Sequence, residues 1–296
     1  MSLPYFQQGV KLADHTTFRI GGPAAAFYIA RTPQEVLEAA SKADGKGLPW
    51  QVIGHGSNIL AADSGYNGAI ISFRDLTPPR LTEELRVTVS GGLPLSQLVR
   101  FYGDNGLAGV EDLAGIPGTV GGAIAGNAGA YGMAIGGLVE SALLMDRNGD
   151  MRRCPGSELI FSYRTSSIRA AGEVLLEATM SATRDEPASV KARIEARLAE
   201  RWQKHPDPSQ IGTAGSYFKN PASDEGGRMA AGRLIEQAGC SGLKVGGAML
   251  WQKHANIIVT EGRAMAGHVL ELADRMAEKV RKTSGVNLIP EVVYLG

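Results

Sequence analysis

The spacing of apolar positions changes period several times along this chain. Thr32-Pro33-Gln34-Glu35 predicts a helix start, with Thr32 as N-cap, Pro33 at the first helical position and Glu35 closing a capping box. Trp50-Gln51-Val52-Ile53 predicts a strand that runs into Gly54-His55-Gly56-Ser57-Asn58. Further strands are expected at 69–73 and 86–90. Leu95, Leu98, Val99 and Tyr102 lie at helical spacing. Residues 143–146, followed by Asn148-Gly149, predict a strand entering a hairpin turn, and 173–182 a strand after it.

The second half is more helical. From 187 to 204 a charged amphipathic helix is expected, with Val190, Ile194, Leu198 and Trp202 on one face. His205-Pro206-Asp207-Pro208 ends it. A helix is expected around 228–238, a strand at 255–259 and a longer helix at 264–282 carrying Val269, Leu272, Met276 and Val280. A short strand is expected from 286 to 295. There is no tandem repeat.

Composition narrows the function classes. The chain has 296 residues, 44% hydrophobic and 20% charged, an ordinary globular balance with room for two or three domains. Formal net charge is zero, so no global basic field gathers nucleic acid or acidic membrane. Cys154 and Cys240 form no CxxC pair, and the five histidines lack ligand spacing, so neither a disulfide scaffold nor a metal site is expected. No apolar run of signal-peptide length opens the chain, and a cytoplasmic protein is expected. The charge-free stretch 113–139 contains Pro117 and nine glycines, a poor composition for a spanning helix. It reads as close-packed loop and short helix.

Glycine is the anomaly, at 39 residues, nearly twice the usual share of about 7%. The excess lies mainly before residue 150, where loops could thread around a large cofactor and offer backbone amides to it. Gly54-His55-Gly56-Ser57-Asn58 suits a pyrophosphate, but Ile59 breaks the dinucleotide fingerprint and a tight turn explains the glycines equally well. LAGIPGTVGGAIAGNAGAYG, from Leu113 to Gly132, reads as a cradle or as plain close packing. Gly215-Ser216-Tyr217-Phe218-Lys219-Asn220-Pro221 gathers a hydroxyl, an ammonium and a carboxamide between a flexible and a stiff residue. A surface turn would also account for it. Arg164 lies beside aromatics in Phe161-Ser162-Tyr163-Arg164-Thr165-Ser166, and Glu291 follows Pro290 between apolar residues. Each of these two has a structural alternative, an ion pair for Arg164 and an exposed edge charge for Glu291. His254-Ala255-Asn256 opens an apolar strand, where polar side chains often reach a ligand.

Taken in order, these pieces resemble one family over nearly the whole chain. HTTFRIGG at His15, GHGSNIL, AGIPGTVGGAIAGNAGAYG, YRTSS, GSYFKNP, AGRLIEQAG, KHANIIV and PEV resemble the UDP-N-acetylenolpyruvoylglucosamine reductases of peptidoglycan precursor synthesis, in their short form. No single piece is decisive; the ordered set is specific. The resemblance implies an α+β protein. Two FAD-binding subdomains of the vanillyl-alcohol-oxidase type are expected at 1–75 (joined by a C-terminal strand, 286–296) and at 76–204. A UDP-sugar-binding domain is expected at 205–285.

The resemblance further implies non-covalent FAD held by Gly54, His55, Gly56, Ser57, Asn58 and Ile59. The second loop would contribute Ala114, Gly115, Pro117, Gly118, Thr119, Gly121, Gly122, Ala123, Asn127, Gly129, Ala130 and Tyr131. NADPH would be co-substrate, and the enolpyruvyl ether of UDP-N-acetylglucosamine the acceptor. Arg164 would stabilise the enolate-like charge left by hydride addition. Glu291, protonated, would hydrogen-bond the same carboxylate, its apolar flanks favouring the neutral acid. Ser216 would give a proton to the carbanionic carbon. Tyr163, Lys219, Asn220, His254 and Asn256 would contact substrate, no metal is implied, and a monomer is expected. Two departures stand out: Val293 replaces a basic residue frequent after PEV, and the insertion carrying the long form's clamping tyrosine is missing. Trp251, Lys253 and His254 are the residues to consider over the diphosphate. A flavin oxidase would need a covalent attachment residue and an oxygen-accepting site, for which the sequence offers no clear candidate, His55 being left open. A silent UDP-sugar binder is disfavoured by Arg164, Ser216 and Glu291 occurring together.

Overall fold

The computed structural model describes residues 5–223 and 226–296, and the chain divides into two units. The first comprises 1–8, 26–55 and 68–201; the second comprises 9–25, 56–67 and 202–296. Both mix helices with largely antiparallel sheet, an α+β architecture.

The first unit contains two cores. In one, a four-stranded sheet runs in the order Tyr5–Gln7, Ala24–Ala30, Tyr66–Phe73, Trp50–Ile53, the last two parallel. Helix Pro33–Asp44 buries Val36, Ala39, Ala40 and Ala43 with Ala26, Tyr28, Trp50 and Ile71. Thr32 caps this helix by accepting from the Glu35 N–H at 3.1 Å. The expected box closes one residue early: the Glu35 carboxylate accepts from the Arg31 N–H at 2.8 Å. Strand Ala24–Ala30 was not legible in the sequence. It is buried at five of its seven positions, so its residues do not alternate in polarity, and four of the seven are alanines.

The other core lies on a five-stranded antiparallel sheet, in the order Met151–Pro155, Val139–Met145, Val174–Ser181, Arg86–Ser90, Arg80–Leu81. Helix Leu95–Asp104 and the short helix Val120–Ala125 pack on it through Leu95, Leu98, Val99, Tyr102, Val120 and Ile124. The expected helix at 187–204 is observed as Pro187–Lys204, with Ile194 and Leu198 packed against this core.

In the second unit four antiparallel strands run Gly212–Ser216, His254–Thr260, Ala248–Trp251, Lys244–Val245. Helix Ala266–Ser284 covers them with Val269, Leu272, Met276 and Val280, and Gly285 closes it in the left-handed region. Two expectations shorten here. The helix expected from 228 begins only at Ala231, because Met229 and Arg228 pair with Pro221 and Ala222 as extended chain. The C-terminal strand is confined to Val293–Leu295, parallel to Ile59–Ala61, because Ile289–Glu291 pairs elsewhere.

Candidate active site

Ser216 ends the strand Gly212–Ser216 at an irregularity in its pairing with His254–Thr260. The shift is built by Gly215, whose φ of +72° favours glycine. Thr213 locks the bend, its hydroxyl donating to the Ile258 carbonyl and accepting from the Gly215 N–H. After Ser216 the chain leaves the sheet and is clipped by Asn256. That carboxamide accepts from the Phe218 N–H at 3.0 Å and donates to the Phe218 carbonyl at 2.8 Å. The Asn256 carbonyl also accepts from the Tyr217 N–H at 2.7 Å. Asn256 is 2% exposed. These bonds fix the bend that presents Ser216, and Asn256 also lines the cavity there. No hydrogen bond to the Ser216 hydroxyl occurs among the described residues, and that half-buried group lines a cavity of about 240 Å³.

The same bend meets the C-terminal segment. Lys219 N–H donates to the Ile289 carbonyl at 2.9 Å, and Glu291 N–H donates to the Tyr217 carbonyl at 2.8 Å. Glu291 is thus held beside the Ser216 turn by main-chain pairing. Asn58 completes the junction, donating from its carboxamide to the Glu291 carbonyl at 3.1 Å across 233 positions of sequence. Its own carbonyl accepts from the Val293 N–H. Position 293, which lacks the family's basic residue, is an exposed strand position. Gly56, on the same stretch, accepts from the Thr17 N–H, and a Cβ there would run into the His15 carbonyl. Three motifs expected to serve one site, Gly56–Asn58, Ser216–Asn220 and Glu291, therefore converge.

Around the cavity stand Asn220, Arg233, Lys253 and His254. Asn220 accepts the Ala231 N–H at 2.9 Å and so starts the helix Ala231–Gln237 that carries Arg233. His254 accepts the Asn256 N–H on Nδ1 at 3.2 Å, so a neutral imidazole carries its proton on Nε2. Lys219 is half-buried next to Phe218.

The first unit holds the other expected residues. Tyr163 and Arg164 form the two-residue turn between Phe161–Ser162 and Thr165–Ser166. Arg164 has φ +57°, a strained value for a side-chain-bearing residue. Its guanidinium donates to the Gly129 carbonyl at 2.8 Å and lies over the Tyr163 ring at 5.2 Å. The glycine-rich loop is partly self-satisfied. Asn127 accepts from the Gly136 N–H and donates to the Ser162 carbonyl, while the Gly121 N–H donates to the Gly91 carbonyl. Thr119 caps the helix Val120–Ala125, which carries Gly122 and Ala123. Asn127 and Gly121 shape the loop with these bonds, and Tyr131 stays 47% exposed under the Arg197 guanidinium at 4.0 Å. Gly54 packs against Thr119, and His55 is half-buried.

Sequence reasoning missed Arg201. It lies in the charged run of helix Pro187–Lys204 and reads there as one more solvated residue. In the structure it is half-buried beside the loop; a Cβ at Gly115 would lie 2.6 Å from its Cδ. Burial pulls its pKa down, Tyr131 opposes this, and the like charge of Arg164 adds to it. It makes no hydrogen bond or ion pair among the described residues. An arginine keeps its charge in any protein, so a guanidinium so placed favours an anion. A dinucleotide cofactor, which carries phosphates, is an anion that such a guanidinium fits.

Comparison with known proteins bears on the same surfaces. An FAD-binding domain model matches residues 24–155, and the UDP-N-acetylenolpyruvoylglucosamine reductase C-terminal domain model matches 207–295. The reductase of Heliobacterium modesticaldum is 37% identical over 98% of this chain and 91% of its own length. The chain belongs to the UDP-N-acetylenolpyruvoylglucosamine reductase family. The reductase of Moorella thermoacetica agrees at 38% over 96% of this chain and 91% of its own length. The crystal structure of the Thermus caldophilus reductase superposes with TM-score 0.82 at 30% identity, covering 99% of this chain and 100% of that one. Physcomitrella patens BBE-like 1 shares only the fold, with TM-score 0.54 at 10% identity over 91% of this chain and 83% of that one. This reductase-family member is an FAD-containing oxidoreductase of peptidoglycan synthesis. Among the described residues no helix is long and apolar enough to cross a membrane, and no group of three or more side chains could hold a metal ion.

Proposed function

We propose that the chain reduces the enolpyruvyl ether of UDP-N-acetylglucosamine enolpyruvate to UDP-N-acetylmuramate, with NADPH as reductant and proton transfer from Ser216. The reading follows the family's three-part division, FAD on 1–75 and 76–204 and the sugar nucleotide on 205–285. Its main support is the convergence of Ser216, Glu291 and Asn58 on one bend, with the Ser216 hydroxyl turned to a cavity.

FAD, when bound, would supply hydride-transfer chemistry with NADPH as the source of reducing equivalents. This chain's residues do the rest. As hydride adds to the vinyl carbon, charge develops on the neighbouring carbon and its carboxylate. The Arg164 guanidinium, fixed by the Gly129 carbonyl, stabilises that charge. Glu291 in its acid form donates to the carboxylate, and Lys219 adds a cation. Ser216 gives its proton to the carbanionic carbon, a step open to so weak an acid because the acceptor is strongly basic. The alkoxide regains a proton from water or a neighbour lining the cavity. Arg201 and the loops at Gly54–Asn58 and Ala114–Tyr131 hold the cofactor.

The test is an anaerobic visible spectrum of the purified protein with NADPH and then the enolpyruvyl sugar nucleotide added in turn. Flavin absorbance bleached by NADPH and restored by the sugar nucleotide is the expected result. Bleaching without return points to another flavin enzyme on this scaffold.

A further inference from the structure

Tyr131 occupies a position that tyrosine fits badly. Gly129–Ala130 and Met133–Ala134 pair as a hairpin, and its two turn residues, Tyr131 and Gly132, have φ of +53° and +88°. Two left-handed residues in succession make a type I′ turn, which asparagine, aspartate and glycine fill at least cost. A strained tyrosine in that place points to a use for its ring.

The ring is held by charge. A Cβ on Gly132 would meet nothing within 4 Å, so no wall packs on the turn at that residue. The Arg197 guanidinium lies over the Tyr131 ring at 4.0 Å. The same guanidinium donates to the Asp112 carboxylate at 2.7 Å and to the Glu200 carboxylate at 3.3 Å. Glu200 in turn accepts from the Tyr131 hydroxyl. Two carboxylates thus fix Arg197 while its face meets the ring. The Arg197 and Asp112 side chains are 37% and 24% exposed, and ion pairs so open to water add little to stability. What this cluster contributes is geometry.

The hairpin leads back to the candidate active site. Its first residue, Gly129, is the one whose carbonyl accepts from the Arg164 guanidinium at 2.8 Å. A Cβ on Gly129 would run into the Met133 carbonyl, so the two arms are packed too closely to shift separately. Movement of the Tyr131 turn therefore reaches the Arg164 anchor within two residues.

Resting on the function proposed above, we propose that Arg197 is a positioning residue for the half-reaction with the sugar nucleotide. It holds the Tyr131 turn and, through the Gly129 carbonyl, keeps Arg164 aimed at the developing carboxylate charge. The charged face of helix Pro187–Lys204 then supports the site as well as meeting solvent.

The test is stopped-flow absorbance of the FAD-loaded protein in both half-reactions. The variants are Arg197→Met, Arg197→Lys, Tyr131→Ala, Arg164→Gly, and Arg197→Met combined with each of the last two. Circular dichroism and flavin absorbance report that each is folded and loaded. A misplacement of about 1 Å can cost roughly a hundredfold in rate. For a loosened turn, Arg197→Met should slow reoxidation of flavin by the sugar nucleotide about tenfold and leave reduction by NADPH within about twofold. Arg197→Lys keeps a cation near the ring and should recover part of that loss. Arg197→Met should add no further loss to Tyr131→Ala or to Arg164→Gly, because it acts through both. Unchanged reoxidation in Arg197→Met overturns the positioning role. Equal slowing of both half-reactions overturns it too, as does a loss that adds in full to either partner variant. A wild type whose reduced flavin is not reoxidised by the sugar nucleotide overturns the function proposed above. Normal wild-type reoxidation with a silent Arg197→Met overturns the positioning role alone.

Discussion

The two units place their chemistry by opposite means. Of the five non-glycine residues with positive φ among the described residues, three surround the glycine-rich loop and hairpin of the first unit: Asn127, Tyr131 and Arg164. There the backbone itself is bent into costly conformations, and a packed sheet beneath holds it. At Ser216 in the second unit the left-handed position falls on Gly215, where it costs little. The turn is held instead by side chains clipping main chain, Asn256 on Phe218, Asn58 on Glu291 and Asn220 on Ala231. One region stores strain under its arginine, and the other spends carboxamides to hold a serine.

Ser216→Ala should give the largest effect. Loss of the proton donor should slow reoxidation of flavin by the sugar nucleotide by about a thousandfold, within the usual range for general-acid loss. Flavin reduction by NADPH should stay within about twofold, as stopped-flow absorbance would record. Equal loss in both half-reactions would remove the proton-donor role.

Arg164→Gly probes the strained side. Turnover should fall by about a hundredfold or more. Thermal stability should change by less than about 1 kcal/mol, because relief of the left-handed φ offsets the lost bond to Gly129. A stability loss well beyond that would show the turn is not strained as described. Asn256→Ala probes the clipped side and should cost stability where Arg164→Gly does not. The buried N–H and carbonyl of Phe218 would lose their partner, costing about 3 kcal/mol in chemical denaturation. A cost under about 1 kcal/mol would mean the Ser216 bend is held by other contacts.

The smallest effects concern two groups in the first unit. The His55 pKa is lowered by burial and then by Arg74. The unfolded chain therefore takes up a proton at this site near the ordinary histidine value of about 6.5, while the folded chain resists until lower pH. This contribution is complete above about pH 6.5 and is lost as pH falls through the depressed folded value. The melting temperature should decline on acidification, and His55→Gln should flatten that decline. The Tyr28 hydroxyl is buried with no hydrogen-bond partner among the described residues. Tyr28→Phe should leave stability unchanged or raise it by up to about 1 kcal/mol. A clear loss would reveal a partner such as ordered water.

Elements with a strong local signal were legible from the chain alone. Trp50–Ile53, Arg86–Ser90 and Pro187–Lys204 stand where periodicity and turn residues put them. The ordered motifs identified the family, because short runs that close on a ligand keep their chemistry in local order. Strand Ala24–Ala30 and the end of the C-terminal strand were not legible, since burial on both faces and pairing partners are set by distant chain.

The family, and with it the candidate serine, arginine, glutamate and glycine-rich loops, was legible in the sequence alone. Only tertiary structure decided that Asn58, Asn220 and Asn256 hold distant backbone, and that Arg201 stands half-buried beside the loop. A side chain's role depends on what reaches it across the fold. Asn58 meets Glu291 from 233 positions away, and no local pattern encodes that contact.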